Sequence, residues 1–599
     1  MLEVKNLKVQ IDAPNRVLEA VSGVSFTVNK GECFALVGES GCGKSMTAFS
    51  IMRLLPEGVY VSEGSIRVGG IELLELTEKQ MQSVRGAKVS MIFQEPATSL
   101  NPVMTVGDQI VEAVRLHEKV SKAEARAIAI KWLDRVGIDE PEKRFSAFAH
   151  ELSGGQKQRV MIAMALACKP DVVVADEPTT ALDVTLQAQI LDLLKRLQKE
   201  REIALLLITH DLAVVKTYAD RVALMYAGLI VEEQSVADFF AAPKHPYAKQ
   251  LLSAVPGKDK AGRELVHIKG IVPELSDMPA GCRYAPRCPL AKDKCTKSLP
   301  ELQMIGDGVY ARCFEIDKTF EEARLKLTRT IEKGEDVFTV QNLSVKYVKS
   351  KGVIAELLHG KDVFEAVADV SLTLARGTTL ALVGESGSGK TTLAKAALGL
   401  LEDALVTGTV TIAGQAAYHK SKFDPKLRSA VQIVFQDPFA SLDPRMTVGE
   451  CIREGLSALV PDMDKAQQGR RIAQLLKQVG LPESAAGKLP HEFSGGQRQR
   501  IAIARALAVS PKVLVCDEPT SALDVSVQAQ VLNLLKEIQA QTGIAILLIT
   551  HNFAVVEYIA DTVAVMKKGR LVECGPASEI LEHPQNDYTK ELLAAVPRL

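Results

Sequence analysis

The sequence predicts an α/β protein made of two tandem copies of one domain, each built on a parallel sheet that carries its ligand at the carboxyl ends of the strands. Three observations predict it. A glycine-rich loop, Gly38-Glu39-Ser40-Gly41-Cys42-Gly43-Lys44-Ser45, returns as Gly384-Glu385-Ser386-Gly387-Ser388-Gly389-Lys390-Thr391. The same motifs trail each loop at near-constant spacing: Gln94 and Gln436, Ser153 and Ser494, Asp176 and Asp517, His210 and His551. Apolar runs lead into these motifs, Cys33 to Val37, Val172 to Ala175 and Ala204 to Ile208 in the first copy. Unbroken rather than alternating apolarity is the pattern of strands buried on both faces.

The copies span residues 1–255 and 337–599, and their constant offset marks a duplication, with about five residues lost from the second copy between its glycine loop and Ser494. Residues 256–314 are a different kind of segment, rich in Pro, Gly and Cys around Pro273 to Pro289 and expected to be irregular. Residues 315–336 are charged and helical in pattern, which reads as a solvated tether.

Composition narrows the classes of function. The chain has 599 residues, more than one core holds, since single cores stop growing at roughly 250–300 residues. Lys and Arg number 72 against 73 Asp and Glu, a formal net charge of -1, so no overall field draws the protein to nucleic acid or acidic lipid. The longest apolar runs, such as Ile203 to Ile208, fall far short of the roughly 18–20 residues that cross a bilayer. The opening MLEVKNLKVQ alternates apolar and polar residues and lacks the plan of a secretory signal, so the cytosol is the expected compartment. Ten cysteines there read as thiols or metal ligands before disulfides.

A loop of the form G-x-x-x-x-G-K-[ST] between a strand and a helix turns its backbone N–H groups toward phosphate oxygens, and glycines remove the Cβ atoms that would block them. Gly38, Ser40, Gly41 and Gly43, with Gly384, Ser386, Gly387 and Gly389, are the candidate cradles. Lys44 and Lys390 are expected to reach the β and γ phosphates of ATP, and Ser45 and Thr391 to ligate Mg²⁺. The strand ends Asp176-Glu177 and Asp517-Glu518 set two carboxylates side by side. Adjacent side chains on a strand point opposite ways, so Asp176 and Asp517 are expected at the Mg²⁺ and Glu177 and Glu518 at the attacking water. Ser153-Gly154-Gly155 and Ser494-Gly495-Gly496 open helices, where exposed N–H donors either are simply capped or bind an anion.

Glycine loop, Gln94 or Gln436, SGGQ, the acidic pair, Ala181-Leu182-Asp183 or Ala522-Leu523-Asp524, and His210 or His551 stand in an order that resembles a fused pair of ATP-binding-cassette ATPase domains. The resemblance covers almost all of both halves. It implies an ABC-type, RecA-like α/β core with a helical subdomain in each half. It further implies head-to-tail stacking, with Ser494 to Gly496 covering the nucleotide on Lys44 and Ser153 to Gly155 covering that on Lys390. His210 and His551 then sense the γ phosphate, and Gln94 and Gln436 join the Mg²⁺ shell and couple nucleotide state to a partner. Tyr347 falls where the family stacks an aromatic on adenine, whereas the first copy has Ile11, so weaker ATP binding is expected on Lys44.

Glu95 to Pro102, Asp437 to Pro444, His245 to Leu252 and Tyr588 to Leu593 resemble segments of the peptide and nickel importers; taken structurally they are turns and amphipathic surface helices. Cys282, Cys288, Cys295 and Cys313 are spaced C-x5-C-x6-C-x17-C. Four thiolates can hold a cluster or zinc. The resemblance to oligopeptide and dipeptide importer ATPases implies a [4Fe–4S] cluster, with Zn²⁺ or metal-free thiols as alternatives. It also implies two transmembrane permease subunits, an extracytoplasmic solute-binding protein reached through them, no nucleic acid, and a peripheral position on the cytoplasmic face of the membrane. The rival class is a soluble twin-cassette ATPase acting on nucleic acid or the ribosome; neutral charge and the importer-like tails count against it.

Overall fold

The apolar runs form the central strands. In the computed structural model, which describes residues 1–14, 16–179, 182–257, 260, 263–316, 318, 320, 334–349, 362–419, 422–521 and 523–597, the strands Cys33–Val37, Val172–Asp176 and Ala204–Thr209 are buried at every residue. Most of the charged stretch 315–336, together with Ala181 and Ala522 of the two Ala-Leu-Asp motifs, lies outside the described residues. Two units separate by their internal contacts: Met1–Ser253 with Ile268–Glu322 and Pro597–Leu599, and Ala254–His267 with Ala323–Val596.

In the first unit the main sheet runs Val89–Ile92, Val172–Asp176, Ala204–Thr209, Cys33–Val37, Arg221–Tyr226, all parallel. Leu229–Ser235, Val309–Ala311 and Gln303–Gly306 continue it antiparallel. The strand before the glycine loop is central, so loop, acidic pair and histidine leave the carboxyl ends of three adjacent strands. The two outermost strands come from the segment after Cys295: Ala311 and Tyr310 pair with Glu232 and Glu233, which anchors the cysteine segment to the core sheet.

A four-stranded antiparallel sheet (Arg16–Val28, Leu2–Ala13, Val59–Val68, Ile71–Glu72) shares one core with the central strands through Val4, Val9, Phe26, Ile66, Phe34 and Leu36. The helices Val106–His117 and Lys122–Arg135 pack with Gly154–Ala167 in a second core around Trp132, the chain's one tryptophan, and form the helical subdomain. Their starts are written in the sequence: Thr105, Ser121 and Ser153 each accept an N–H from the first turn.

The second unit repeats the plan. Its sheet runs Val431–Val434, Val513–Asp517, Ala545–Ile549, Thr379–Val383, Thr562–Lys567, Arg570–Pro576, and an antiparallel sheet is built on Asp336–Lys349. It also holds residues 254–267. Leu265, fully buried, exchanges both its backbone groups with Asn533 (N to Oδ1 2.9 Å; Nδ2 to O 2.8 Å), and Tyr558 Oη donates to Arg263 O at 2.9 Å. In the first unit the position of Asn533 is taken by Asp192, which accepts from Tyr218 Oη at 3.0 Å and has no N–H of its own to offer a carbonyl.

Candidate functional site

The loop Gly38 to Lys44 turns from the central strand into the helix Lys44–Met52. Gly38 has φ +154°, and a Cβ there would overlap the carbonyl oxygen of Met225 on the neighbouring strand; Gly384 (φ +148°) meets Met566 in the same way. The chain thus folds the loop hard against its neighbouring strand, which only glycine permits. Lys44 is buried, and its Nζ donates to the carbonyls of Gly38 (2.7 Å) and Glu39 (3.1 Å). Lys390 does the same to Gly384 (2.8 Å) and Glu385 (2.7 Å). Ser40, Gly41, Ser386 and Gly387 are exposed, while Gly43 and Gly389 cap the two helices in left-handed conformation. Cys42 is buried packing.

Asp176 ends its strand almost fully buried, and its Oδ1 has no hydrogen-bond partner, although Ser45 bonds to the carboxylate. Burial pushes its pKa up, against the hydrogen bond from Ser45. Such an orphaned acceptor, beside a hydroxyl and an ammonium, fits a divalent cation. In the second half Thr391 Oγ1 donates to Asp517 (3.0 and 3.1 Å to the two oxygens), whose pKa is likewise raised by burial.

Glu177 and Glu518 are not continuations of their strands. Both sit at positive φ, +46° and +47°, while their amides still donate to Ile208 O and Ile549 O at 2.9 Å. The separation of the two carboxylates, expected from strand alternation, comes instead from a left-handed residue, a conformation that a non-glycine holds only when its surroundings enforce it. Each glutamate is held from both sides. Gln94 Nε2 donates to Glu177 Oε2 (3.1 Å) and His210 Nδ1 lies 3.1 Å from Oε1. Gln436 and His551 repeat this on Glu518 at 3.0 Å each. Burial alone lowers the His210 pKa, but Glu177 outweighs it and the net direction is up. Burial raises the Glu518 pKa, and the bond to His551 reverses it, leaving the carboxyl below its usual range.

Ser153 and Ser494 cap their helices by accepting from Gln156 and Gln497. Gly155 and Gly496 are packing glycines: a Cβ would crowd Leu186 in the first and overlap Val527 in the second. Gly154 and Gly495 are different. Both are exposed and helical, and a Cβ on either meets nothing closer than 4.0 Å. Their own fold does not require glycine. Tyr347 lies half-buried on its strand opposite Phe364 and Ala404, as Ile11 lies opposite Leu18 and Val59.

The four cysteines line one small cavity with His245, Tyr284 and Phe314. Among the described residues no three side chains of metal-ligating type stand close enough to hold an ion as placed. Burial pushes the thiols of Cys288 and Cys313 up, to about 12 and about 11.

Sequence reasoning missed the tails' contribution to the loops. The helix Pro246–Ala254, expected as an amphipathic surface helix, buries Tyr247 completely, and its Oη accepts from the amide of Glu39 at 3.2 Å. Tyr588 does the same for Glu385 at 3.3 Å. The recurrence of a tyrosine at the same place in both tails was the available signal.

A lysine-bearing loop at a central strand end, beside a buried aspartate and a glutamate gripped by Gln and His, is the apparatus of a P-loop ATPase, here present twice. The chain matches the ABC transporter family over residues 21–180 and 367–521, and the C-terminal region of oligopeptide/dipeptide transporters over 231–295 and 572–599. It belongs to the ABC transporter family. It is 44% identical to the oligopeptide transport ATP-binding protein OppD of Mycobacterium tuberculosis, covering 100% of this chain and 98% of that protein. It is 45% identical to the glutathione import ATP-binding protein GsiA of Escherichia coli, covering 100% and 89%. A solved dimeric ATP-binding cassette in a post-hydrolysis state with ADP and Pi is 28% identical, covering 39% of this chain and 99% of that one, with a TM-score of 0.37.

Proposed function

We propose that the chain is the ATP-hydrolysing subunit of a binding-protein-dependent importer, powering uptake of peptides or related small solutes through two separate membrane subunits from the cytoplasmic face. The observation that carries this is the tail. A C-terminal region shared with oligopeptide/dipeptide transporters follows each half and sets Tyr247 and Tyr588 on the amides of the two phosphate loops. No helix among the described residues is long and apolar enough to cross a membrane, so the membrane path belongs to other chains. The two folds are read as residues 1–255 and 337–599, joined by the cysteine tail 256–314 and the charged linker 315–336.

In this reading Lys44 and Lys390 exchange their loop carbonyls for the β and γ phosphates of ATP. Ser45, Gln94 and Asp176, and Thr391, Gln436 and Asp517, hold Mg²⁺, which neutralises charge on the phosphate oxygens. Glu177 and Glu518 take the proton of the attacking water, and His210 and His551 hold those carboxylates in place. Gly154 and Gly495 leave open space at exposed helix N-termini, room for phosphate oxygens. Tyr347 stacks on adenine in the second site, a contact worth about 0.5–1.5 kcal/mol that Ile11 does not supply. Cys282, Cys288, Cys295 and Cys313 share a cavity of suitable donor set for a [4Fe–4S] cluster, with Zn²⁺ as the alternative, which fastens the tail.

Co-expression with two candidate permease subunits tests the reading: the chain is expected to copurify with them and to drive inward flux on ATP addition. Isolation with ribosomes or nucleic acid, or outward flux, would overturn it. Anaerobic purification should give about four iron and four sulfide per chain, lost in Cys288→Ser; stoichiometric zinc in their place selects the alternative.

The depressed pKa of Glu518 carries a pH prediction. A carboxyl whose folded pKa lies below its ordinary 4.5 contributes stability that is fully present above 4.5 and is lost as pH falls through the depressed value. His551→Ala removes the bond that depresses it and leaves the upward push of burial, so the acid limb of the turnover profile should shift upward. Turnover measured against pH checks this, and an unmoved limb counts against Glu518 as the titrating base.

A further inference from the structure

The phosphate loop of the first half contains a carboxylate in a place built for anions. Glu39 is 2% exposed, and its negative charge sits one residue after the first glycine of the cradle. What tolerates it there is Arg287, from the cysteine segment, 4% exposed and bidentate on the carboxylate (Nη1 to Oε2 2.6 Å, Nη2 to Oε1 3.0 Å). The guanidinium is itself fixed. Nη1 also donates to Tyr226 Oη at 3.3 Å, and Nε donates to Lys269 O at 3.1 Å. The Glu39 carbonyl in turn accepts from Lys44, so contact runs unbroken from Cys288's neighbour in sequence to the loop lysine. In the second half the counterpart Glu385 is half-buried, and among the described residues no arginine pairs with it.

We propose that Arg287 is a positioning residue of the first ATP site: through its buried pair with Glu39 the cysteine segment fixes the shape and neutralises the charge of the first phosphate loop, and so sets ATP affinity at Lys44 and not at Lys390. This rests on the reading of those two lysines as the two ATP sites. Two buried charges held in a forked geometry tolerate no replacement of one partner, because the other is left uncompensated. The two halves then differ in what governs them, one loop being tied to the state of the cysteine segment and the other screened by solvent.

Equilibrium binding of trinitrophenyl-ATP with Mg²⁺ to the full chain tests it in two backgrounds, Lys390→Ala to report the first site and Lys44→Ala to report the second. Arg287→Met should weaken binding roughly tenfold or more in the first background and leave the second unchanged, with Arg287→Lys in between because it keeps the charge and loses the fork. Where Arg287→Met fails to fold, Glu39→Gln with Arg287→Met removes the bare charge, and weakened binding confined to the first site is again expected. Wild-type affinity at the first site in a folded Arg287 variant, or equal weakening at both, overturns the proposal. If neither lysine variant alone weakens binding, the assignment of the sites fails instead.

Discussion

Replacing Glu177 and Glu518 together by glutamine is expected to lower ATP turnover by about 10²–10⁴-fold, the usual worth of a positioned general base, while ATP still binds. The geometry makes the change clean. Glutamine keeps the length of the side chain and one oxygen acceptor, so one of the two grips, from Gln94 or His210 on Glu177 and from Gln436 or His551 on Glu518, persists. What it loses is the ability to take a proton. The backbone at +46° and +47° is enforced by surroundings that include the amide bonds to Ile208 and Ile549, and glutamine keeps these. The double variant should therefore accumulate with ATP bound and unhydrolysed, seen as retained nucleotide after gel filtration. Undiminished turnover would remove these glutamates from the chemistry.

Gly38→Ala and Gly384→Ala should each abolish nucleotide binding at their own loop. A methyl group there meets the carbonyl oxygen of Met225 or Met566, a backbone atom of the next strand that cannot rotate away. Either that strand or the loop must move. Displacement of this kind costs about 1–3 kcal/mol of stability, and the loop is the less constrained of the two, so its N–H groups leave the phosphate positions. Binding isotherms with a lowered melting temperature check this; an alanine loop that binds ATP as before would show that the close approach to the strand is dispensable.

Much of this was legible beforehand because the features are local. A buried strand declares itself by unbroken apolarity, as in Ala204 to Ile208, and a helix start by its cap, as at Ser153. That glycine loop, acidic pair and histidine follow three apolar runs could be read from the sequence, while the roles given to Gln94 and His210 came from the family resemblance. What escaped depends on pairs distant in sequence. Nothing in the sequence singles out Arg287 until the fold carries it to Glu39, and Tyr247 reads as part of an amphipathic surface helix until it is buried on the loop. The left-handed glutamates escaped for another reason: the groups that hold Glu177 there, the Ile208 carbonyl, Gln94 and His210, come from other parts of the chain.

The pairing of Leu265 with Asn533 bears on how the gene can be divided. A cut placed after Ser253 keeps residues 254–267 with the unit that holds them, but it parts Ile268–Glu322 from the first unit. A cut after His267 strips Asn533 and Tyr558 of the backbone they hold, leaving the Asn533 amide without the Leu265 carbonyl. A cut at either place also takes Arg287 and the strands Gln303–Gly306 and Val309–Ala311 from the first product, so halves from both boundaries should precipitate and the uncut chain should stay in solution.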